Sequence, residues 1–475
     1  MMWWFNMAKE DEKKSVLEKE LFVEKKSAWE VLSNEKGNAF KFCEDYKKFL
    51  DENKTEREIV AWVERLAKEN GFVELKKATS STKKIYAINH HKNIVLINLG
   101  KGKLSDGIRI IGAHIDTLRL DLKLNPLYES EPFLMINLHY YGGIKKYQWL
   151  NVPLEMRGIV FNKNNKPIEI NLGGKKTDPV FVISDLLPHL EGSDWAQKAA
   201  KDIIKGEELD AIGASIPIND KKIKEKIKAT FLKALNDKYK VTEHDFVSAE
   251  LGLYPSIEPR DVGIDYGLIG APAHDDRICS YAAVKSIIES KEKNPKAILL
   301  VDKEEIGSVG NTSMESLFFE NFLEKLLKLI REDISAKEVL SKSKAISADV
   351  TNGMDPKFLD KIDPTNVNKS GYGVAVEKYT GAGGKYSASD ANAEYMSWIR
   401  QMLDASKIPW QFGELGKVDQ GGGGTISYLL AKYNMDIIDM GPPVLAMHSP
   451  FEIVSKIDCY ATYKAYKAFF EYESK

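Results

Sequence analysis

Beyond Asp265 the chain alternates short apolar runs with stretches of helical periodicity, and that alternation leaves few folds open. Ala297–Val301, Ala345–Ala348 and Asp436–Met440 read as strands. Asp276–Ser290, Ser313–Ile330, Ser389–Ala405 and Asp458–Phe470 read as the helices between and after them. Strands that alternate with helices pair in parallel, because a parallel crossover needs a connection long enough to hold a helix. The expected class is α/β, a mainly parallel sheet flanked by helices on both faces. Loops at the carboxyl ends of such strands carry the functional groups.

The beginning of the chain fits the same class. Lys14–Leu32 is charged, with apolar residues at helical spacing. Thr55-x-x-Glu58 forms a capping box before Ile59, Val60, Trp62, Val63 and Leu66. Ile85–Ile88, Asn93–Leu99 and Ile108–His114 read as strands, the last one buried and ending in a polar turn. From about Leu120 to Pro259 the texture changes. Candidate strands such as Pro179–Ile183 alternate with Gly and Asn turns, and Lys201–Lys240 is rich in lysine. A chain of 475 residues exceeds the usual single-domain size. We therefore expect a β-rich domain, residues 120–258, inserted into a first domain made of residues 1–119 and 259–475. Gly421–Gly424 reads as a tight turn before a helix, and no internal repeat is present.

Composition narrows the partners. Lys+Arg and Asp+Glu nearly balance at 68 and 70, so neither nucleic acid nor another polyanion is expected. Three scattered cysteines, Cys43, Cys279 and Cys459, argue against a disulfide framework and against a thiolate metal site. They fit a reducing compartment, so a cytoplasmic protein is expected. Met1–Met7 is apolar but lacks a basic leader and a long apolar core, and reads as a loose tail rather than a signal or a membrane span. No membrane partner is expected.

The chemistry lies at the ends of the apolar runs. His114-Ile115-Asp116 closes one of them, and period-two geometry lets positions 114 and 116 point to one side. A ligating imidazole needs its second nitrogen held, and a carboxylate two residues on can do so, although a satisfied buried pair has the same pattern. Asp275, in Ala271-Pro272-Ala273-His274-Asp275-Asp276-Arg277, reads alone as a helix N-cap; its two oxygens can also bridge two cations. Glu304 and Glu305 follow Ala297–Val301 almost directly. Two carboxylates there are costly to desolvate without a cation or a proton, so one suits metal binding and the other proton transfer. Ala345–Ala348 runs into Asp349, and Pro443–Met447 into His448. Together these ends supply two His and three carboxylate ligands with a spare Glu, the inventory of a two-metal site with nitrogen and oxygen donors.

The order His-x-Asp, Asp, Glu-Glu, Asp, His resembles that of the two-zinc exopeptidases, and more closely metallopeptidase family eighteen, the aspartyl aminopeptidase-like family. Gly112-Ala113-His114-Ile115-Asp116-Thr117, Tyr141-Gly142-Gly143, Ala271-Pro272, Asp275 and Glu304-Glu305-Ile306-Gly307-Ser308 carry that likeness. So do Ser347-Ala348-Asp349, Gly423-Gly424-Thr425-Ile426 and Leu445-Ala446-Met447-His448-Ser449. The resemblance implies an aminopeptidase with two divalent metal ions per chain, zinc first, with manganese or cobalt able to fill the same sites. It implies that His114 and Asp349 bind one metal, that Glu305 and His448 bind the other, and that Asp275 bridges them. Asp116 orients His114, and Glu304 is the general base toward a metal-bridging water. Short peptides with a free N-terminus are the implied substrates. The insertion is implied to be a dimerisation domain, with dimers built into a twelve-subunit shell. There Tyr141-Gly142-Gly143 is expected to let a backbone turn approach a neighbouring active site.

The chain also departs from that family. Tyr147 and Asn352 stand where the family often carries histidines, the first reaching a neighbouring subunit's site and the second near the substrate pocket. Lys378 and Lys385 are the candidates for holding an acidic substrate side chain, and lysines of this kind are usually solvated. The remaining histidines, His90, His91, His139, His189, His244 and His274, read as structural or surface residues. The rival readings are a related two-metal deacylase or carboxypeptidase, and a non-catalytic scaffold of the same fold. A scaffold has no need to keep Glu304 or a full ligand set.

Overall fold

Glu58 closes on the backbone of Thr55 and Thr55 on that of Glu58, so the helix Glu56–Glu69 starts at the capping box read from the sequence. The computed structural model describes residues 15–192, 195 and 197–473. The apolar Met1–Met7 and Lys14 lie outside the described residues.

The main sheet has nine strands among the described residues, in the order Val73–Glu74, Lys84–Asn89, Asn93–Asn98, Lys296–Val301, Arg109–His114, Lys344–Ala348, Asp436–Gly441, Val374–Glu377 and Trp410–Phe412. Its four central strands, Lys296–Val301 through Asp436–Gly441, run parallel, while antiparallel pairs flank them. The sheet is thus mixed, with a parallel centre. Lys296–Val301 is buried along its whole length, as a strand covered on both faces must be. Alternate residues serve the two layers. Ile111, Ile298, Leu300 and Ile346 pack with the helices Lys36–Glu52, His274–Glu289 and Lys456–Glu471. Ile110, Ala297, Leu299 and Ala345 pack with Phe318–Ile330 and Ala336–Ser341.

Among the described residues a second sheet has six antiparallel strands, in the order Pro167–Leu172, Leu154–Phe161, Glu250–Pro255, Arg119–Ser130, Phe133–Tyr141 and Ala211–Ala214. It has its own apolar cluster, with Leu120, Leu134, Trp149, Met156 and Leu253 at its heart and Phe231 of the helix Lys226–Tyr239 against it. Arg119 ties this sheet to the capped helix, donating to Glu56 at 2.7 Å while also bonding Asp121 at 2.7 Å. A third sheet of five short strands includes Leu268–Ala271, Pro443–Leu445 and Glu452–Ser455. Among the described residues, no helix is long and apolar enough to cross a membrane.

Four expected elements are shorter than read, among them the helix expected from Ser313, which begins at Phe318. Lys14–Leu32 is two helices, Val16–Leu21 and Ala28–Val31, because Ser27 caps the second one and also donates to the Gly371 carbonyl. Pro179–Ile183 forms only isolated bridges, Phe181 with Leu154 and Val182 with Ile212. The helix expected from Ser389 begins at Ala393, where Asn392 accepts the Tyr395 N–H as its cap.

Candidate metal centre

Three adjacent parallel strands end level with one another. His114, the last residue of its strand, stands beside Val301, and Ala348 stands beside Ala113, so Asp349 emerges level with His114. After Val301 the chain turns through Lys303, at a φ of 71°, into a short helical turn, Glu304–Ile306. The other two candidate ligands come from loops of the third sheet. Asp275 follows the strand Leu268–Ala271 and, like Asp276, has non-helical backbone angles, so the regular helix begins only after this pair. His448 lies between Pro443–Leu445 and Glu452–Ser455.

These five side chains converge. Asp275 Oδ1 lies 3.1 Å from His114 Nε2, and Asp275 Oδ2 lies 3.2 Å from His448 Nε2. His448 Nε2 is 3.5 Å from Glu305 Oε2, and His114 Nε2 is 3.9 Å from Asp349 Oδ1. Tetrahedral zinc with bonds of about 2.0–2.2 Å separates its ligand atoms by roughly 3.3 Å, and the observed spacings bracket that edge. Glu305 Oε1 is buried with no hydrogen-bond partner among the described residues. The donor set, imidazole nitrogen and carboxylate oxygen with no thiolate, suits zinc.

Asp116 organises the surroundings. Its Oδ1 lies 3.3 Å from His114 Nδ1 and accepts the Glu304 N–H at 3.1 Å, while its Oδ2 accepts the Glu305 N–H at 3.1 Å. Glu452 does the same from the other side, accepting the N–H of Asp275 at 3.0 Å and of His448 at 2.7 Å. The second sheet also reaches the cluster. Tyr141 donates its phenol to Asp116 Oδ2 at 2.9 Å, and His448 Nδ1 bonds the Gly143 carbonyl at 3.0 Å. That bond fixes the ring so that Nε2 faces the carboxylates. A Cβ at Gly142 would come within 2.3 Å of Leu118 and 3.3 Å of Glu305, at a φ of 77° that already favours glycine.

Burial of so many acids dominates the electrostatics. Burial raises the Asp275 carboxyl, but the bonds from His114 and His448 prevail and hold it well below the usual range. Burial pushes Glu304 up to about 7, with Asp275 and Asp116 adding to the rise and His114 opposing it. Glu305 and Asp349 are raised well above the ordinary carboxylate range, first by burial, then by Asp275 and by Asp276 respectively. Burial lowers His448, yet the Asp275 bond and the Glu305 charge lift it to about 10. A buried cluster with this excess of carboxylates calls for cations.

The other candidates lie apart from this cluster in their contacts. Lys378 and Lys385 both pair with Asp390, at 2.6 Å and 3.3 Å, and are half exposed. Asn352 lies on the short strand Thr351–Asn352, soon after Asp349. Tyr147 is exposed. His274 is buried between the Tyr46 hydroxyl and the Ile269 carbonyl, and burial lowers it to about 4, which fits a packing role. Sequence reasoning gave no role to Asp276, although both its buried oxygens lack a hydrogen bond and it groups with His114 and Asp349. It also missed Glu452. The spacing of four residues after His448 was its one trace, and backbone acceptors leave no composition signal. The turn Tyr141-Gly142-Gly143, expected to approach a neighbouring active site, meets the site of its own chain.

Residues 49–470 match the family model described as aminopeptidase I zinc metalloprotease (M18). A protein from Borrelia garinii subsp. bavariensis described as "Probable M18 family aminopeptidase 1" is 44% identical over 458 residues, covering 94% of this chain and 100% of its own. The crystal structure of an M18 aminopeptidase from Thermotoga maritima superposes with a TM-score of 0.91 at 42% identity, covering 95% of this chain and 100% of that one. At 21% identity the mApe1 dodecamer of Saccharomyces cerevisiae shares the fold, with a TM-score of 0.72 over 90% of this chain and 95% of that one.

Proposed function

The chain belongs to the M18 family of zinc aminopeptidases, and from that premise we propose that it holds two zinc ions and releases N-terminal residues from short peptides with Glu304 as general base. The observation that carries this reading is the Asp275 carboxylate, whose two oxygens face two different imidazoles. His114 and Asp349 would hold one zinc, His448 and Glu305 the other, and Asp275 both. Zinc there would supply Lewis acidity, polarising the scissile carbonyl and acidifying water. Glu304 takes the proton of the attacking water and returns it to the leaving amine. Asp116 and the Gly143 carbonyl hold the two imidazoles in the required orientation. Lys378 and Lys385 both already pair with Asp390, so neither is assigned here to an acidic N-terminal residue. Chelation should abolish hydrolysis of free-amine peptides and zinc should restore it, with elemental analysis giving about two ions per chain. Full activity in metal-free protein would refute the reading.

Residues 120–258 are proposed to serve as the dimerisation domain of a closed twelve-subunit assembly. Leu124, Leu190 and Ile216 of that stretch are 72%, 65% and 71% exposed, which supports a buried role in an assembly. Enclosure would admit only short, unfolded peptides and would make such a peptidase safe in the cytoplasm, a compartment that the three free, buried cysteines also fit. Light scattering at a monomer's mass in fully active protein would refute the assembly.

A further inference from the structure

Asp276, next to the bridging candidate Asp275, is fully buried, and neither of its carboxylate oxygens has a hydrogen-bond partner among the described residues. A carboxylate taken out of water stays charged only where donors or a cation replace the water. The groups around it do not. Arg277, the next residue, turns its guanidinium away, Nη1 to the Asn53 carbonyl at 2.7 Å and Nη2 to the Lys54 carbonyl. The Tyr466 hydroxyl, from the helix Lys456–Glu471, donates to the Met440 carbonyl at 2.6 Å. The Cys279 thiol lies beside Asp276, and a thiol is only a weak donor.

What Asp276 does face is one half of the metal centre. An Asp276 oxygen, an Asp349 oxygen and a His114 ring nitrogen all lie within 4.8 Å of one another. The two halves of the centre are therefore unequal in charge. Beside His114 stand Asp349, Asp276 and one oxygen of Asp275, whereas His448 has Glu305 and the other Asp275 oxygen. Two carboxylates as close as Asp276 and Asp349 repel each other, and one divalent cation between them would offset both charges. The affinity of an oxygen-rich site for a divalent cation rises with the number of carboxylates around it.

We infer, on the two-zinc reading of this centre, that Asp276 is a third carboxylate for the ion held by His114 and Asp349, so that the two zinc ions are held unequally, the one beside His114 more tightly. The test titrates zinc into the metal-free full chain against a competing chelator, with elemental analysis giving the number of ions. The native protein should bind two, with affinities at least about tenfold apart. In Asp276→Asn the tighter affinity should fall about tenfold or more while the weaker one changes little. Thermal unfolding separates this from a structural role. Asparagine keeps the shape but removes a buried charge that lacks a counter-ion in the metal-free protein. Metal-free Asp276→Asn should thus melt no lower than metal-free native protein, and zinc should raise its melting temperature by less. Asp349→Ala should lose the tighter ion and Glu305→Ala the weaker, which decides the matter even where Asp276→Asn does not fold. Two equal affinities in the native protein, the reverse assignment of the two ions, or an unchanged tighter affinity in Asp276→Asn would each overturn the inference and leave the two-zinc reading standing. A native protein that binds fewer than two ions would refute that reading, and the inference with it.

Discussion

The Asp116 carboxylate and the Glu304 peptide N–H lie 3.1 Å apart, and the second oxygen of the same carboxylate takes the Glu305 N–H at 3.1 Å. One buried side chain thus sets the backbone of both glutamates while lying 3.3 Å from the His114 ring. Asparagine keeps the shape but offers an NH2 where one peptide N–H now finds an acceptor. Asp116→Asn should therefore weaken zinc binding by about 10–100-fold, read by titration against a competing chelator. Unchanged zinc affinity would mean that these bonds position nothing.

Glu304 and Glu305 are adjacent but proposed for different work. Glu304→Gln should keep its zinc and lose roughly two to four orders of magnitude in turnover. Glu305→Ala should instead lose zinc, since its carboxylate lies 3.5 Å from His448 Nε2. Near-normal turnover in Glu304→Gln would reject it as the base.

Much of this was legible because the physics is local. Ala297–Val301 announces a strand covered on both faces, and the polar residues after such runs announce its carboxyl end. The Thr55 and Glu58 capping box is equally local. What escaped depends on contacts between distant segments. Glu452 acts by accepting two backbone N–H groups, one of them 177 residues away, and any acid with the right reach would look the same in sequence. Ser27 breaks the first helix through a partner 344 residues away. The antiparallel flanks of the main sheet were likewise hidden, because strand order follows from packing rather than from periodicity.

Glu377 provides a pH test away from the five candidate ligands. It is buried, bonded by Thr351 and by Asn368 at 3.1 Å, and faces Asp439 across the strand pair. Burial, with Asp439 adding to it, pushes its carboxyl up to about 8. The native state therefore keeps a proton that the unfolded chain gives up near its ordinary value, about 4.5. Its stabilising contribution is complete below that value and is lost as pH rises through about 8. The melting temperature should fall across that window, and Glu377→Gln should flatten the profile. Equal slopes in the two proteins would show that Glu377 does not titrate as described.

Tyr141 separates two roles that a deletion would confuse. Removing residues 120–258 would take away the surface proposed for assembly together with the Tyr141 phenol on Asp116 and the Gly143 carbonyl on His448. Tyr141→Phe removes only the phenol. The ring remains 3.7 Å from the Arg119 guanidinium, so packing at the junction survives. The lost bond should cost about 1 kcal/mol of stability. It should cost more in catalysis, because Asp116 then holds the two glutamates with one supporting donor fewer. Burial raises the Asp116 carboxyl, but the His114 bond and charge, and after them the Tyr141 bond, hold it below its ordinary value. The oligomeric mass of Tyr141→Phe should be that of the native protein while its activity falls. If activity and mass fell together, the turn would act through a neighbouring subunit after all, and the contact within one chain would not be the one that matters.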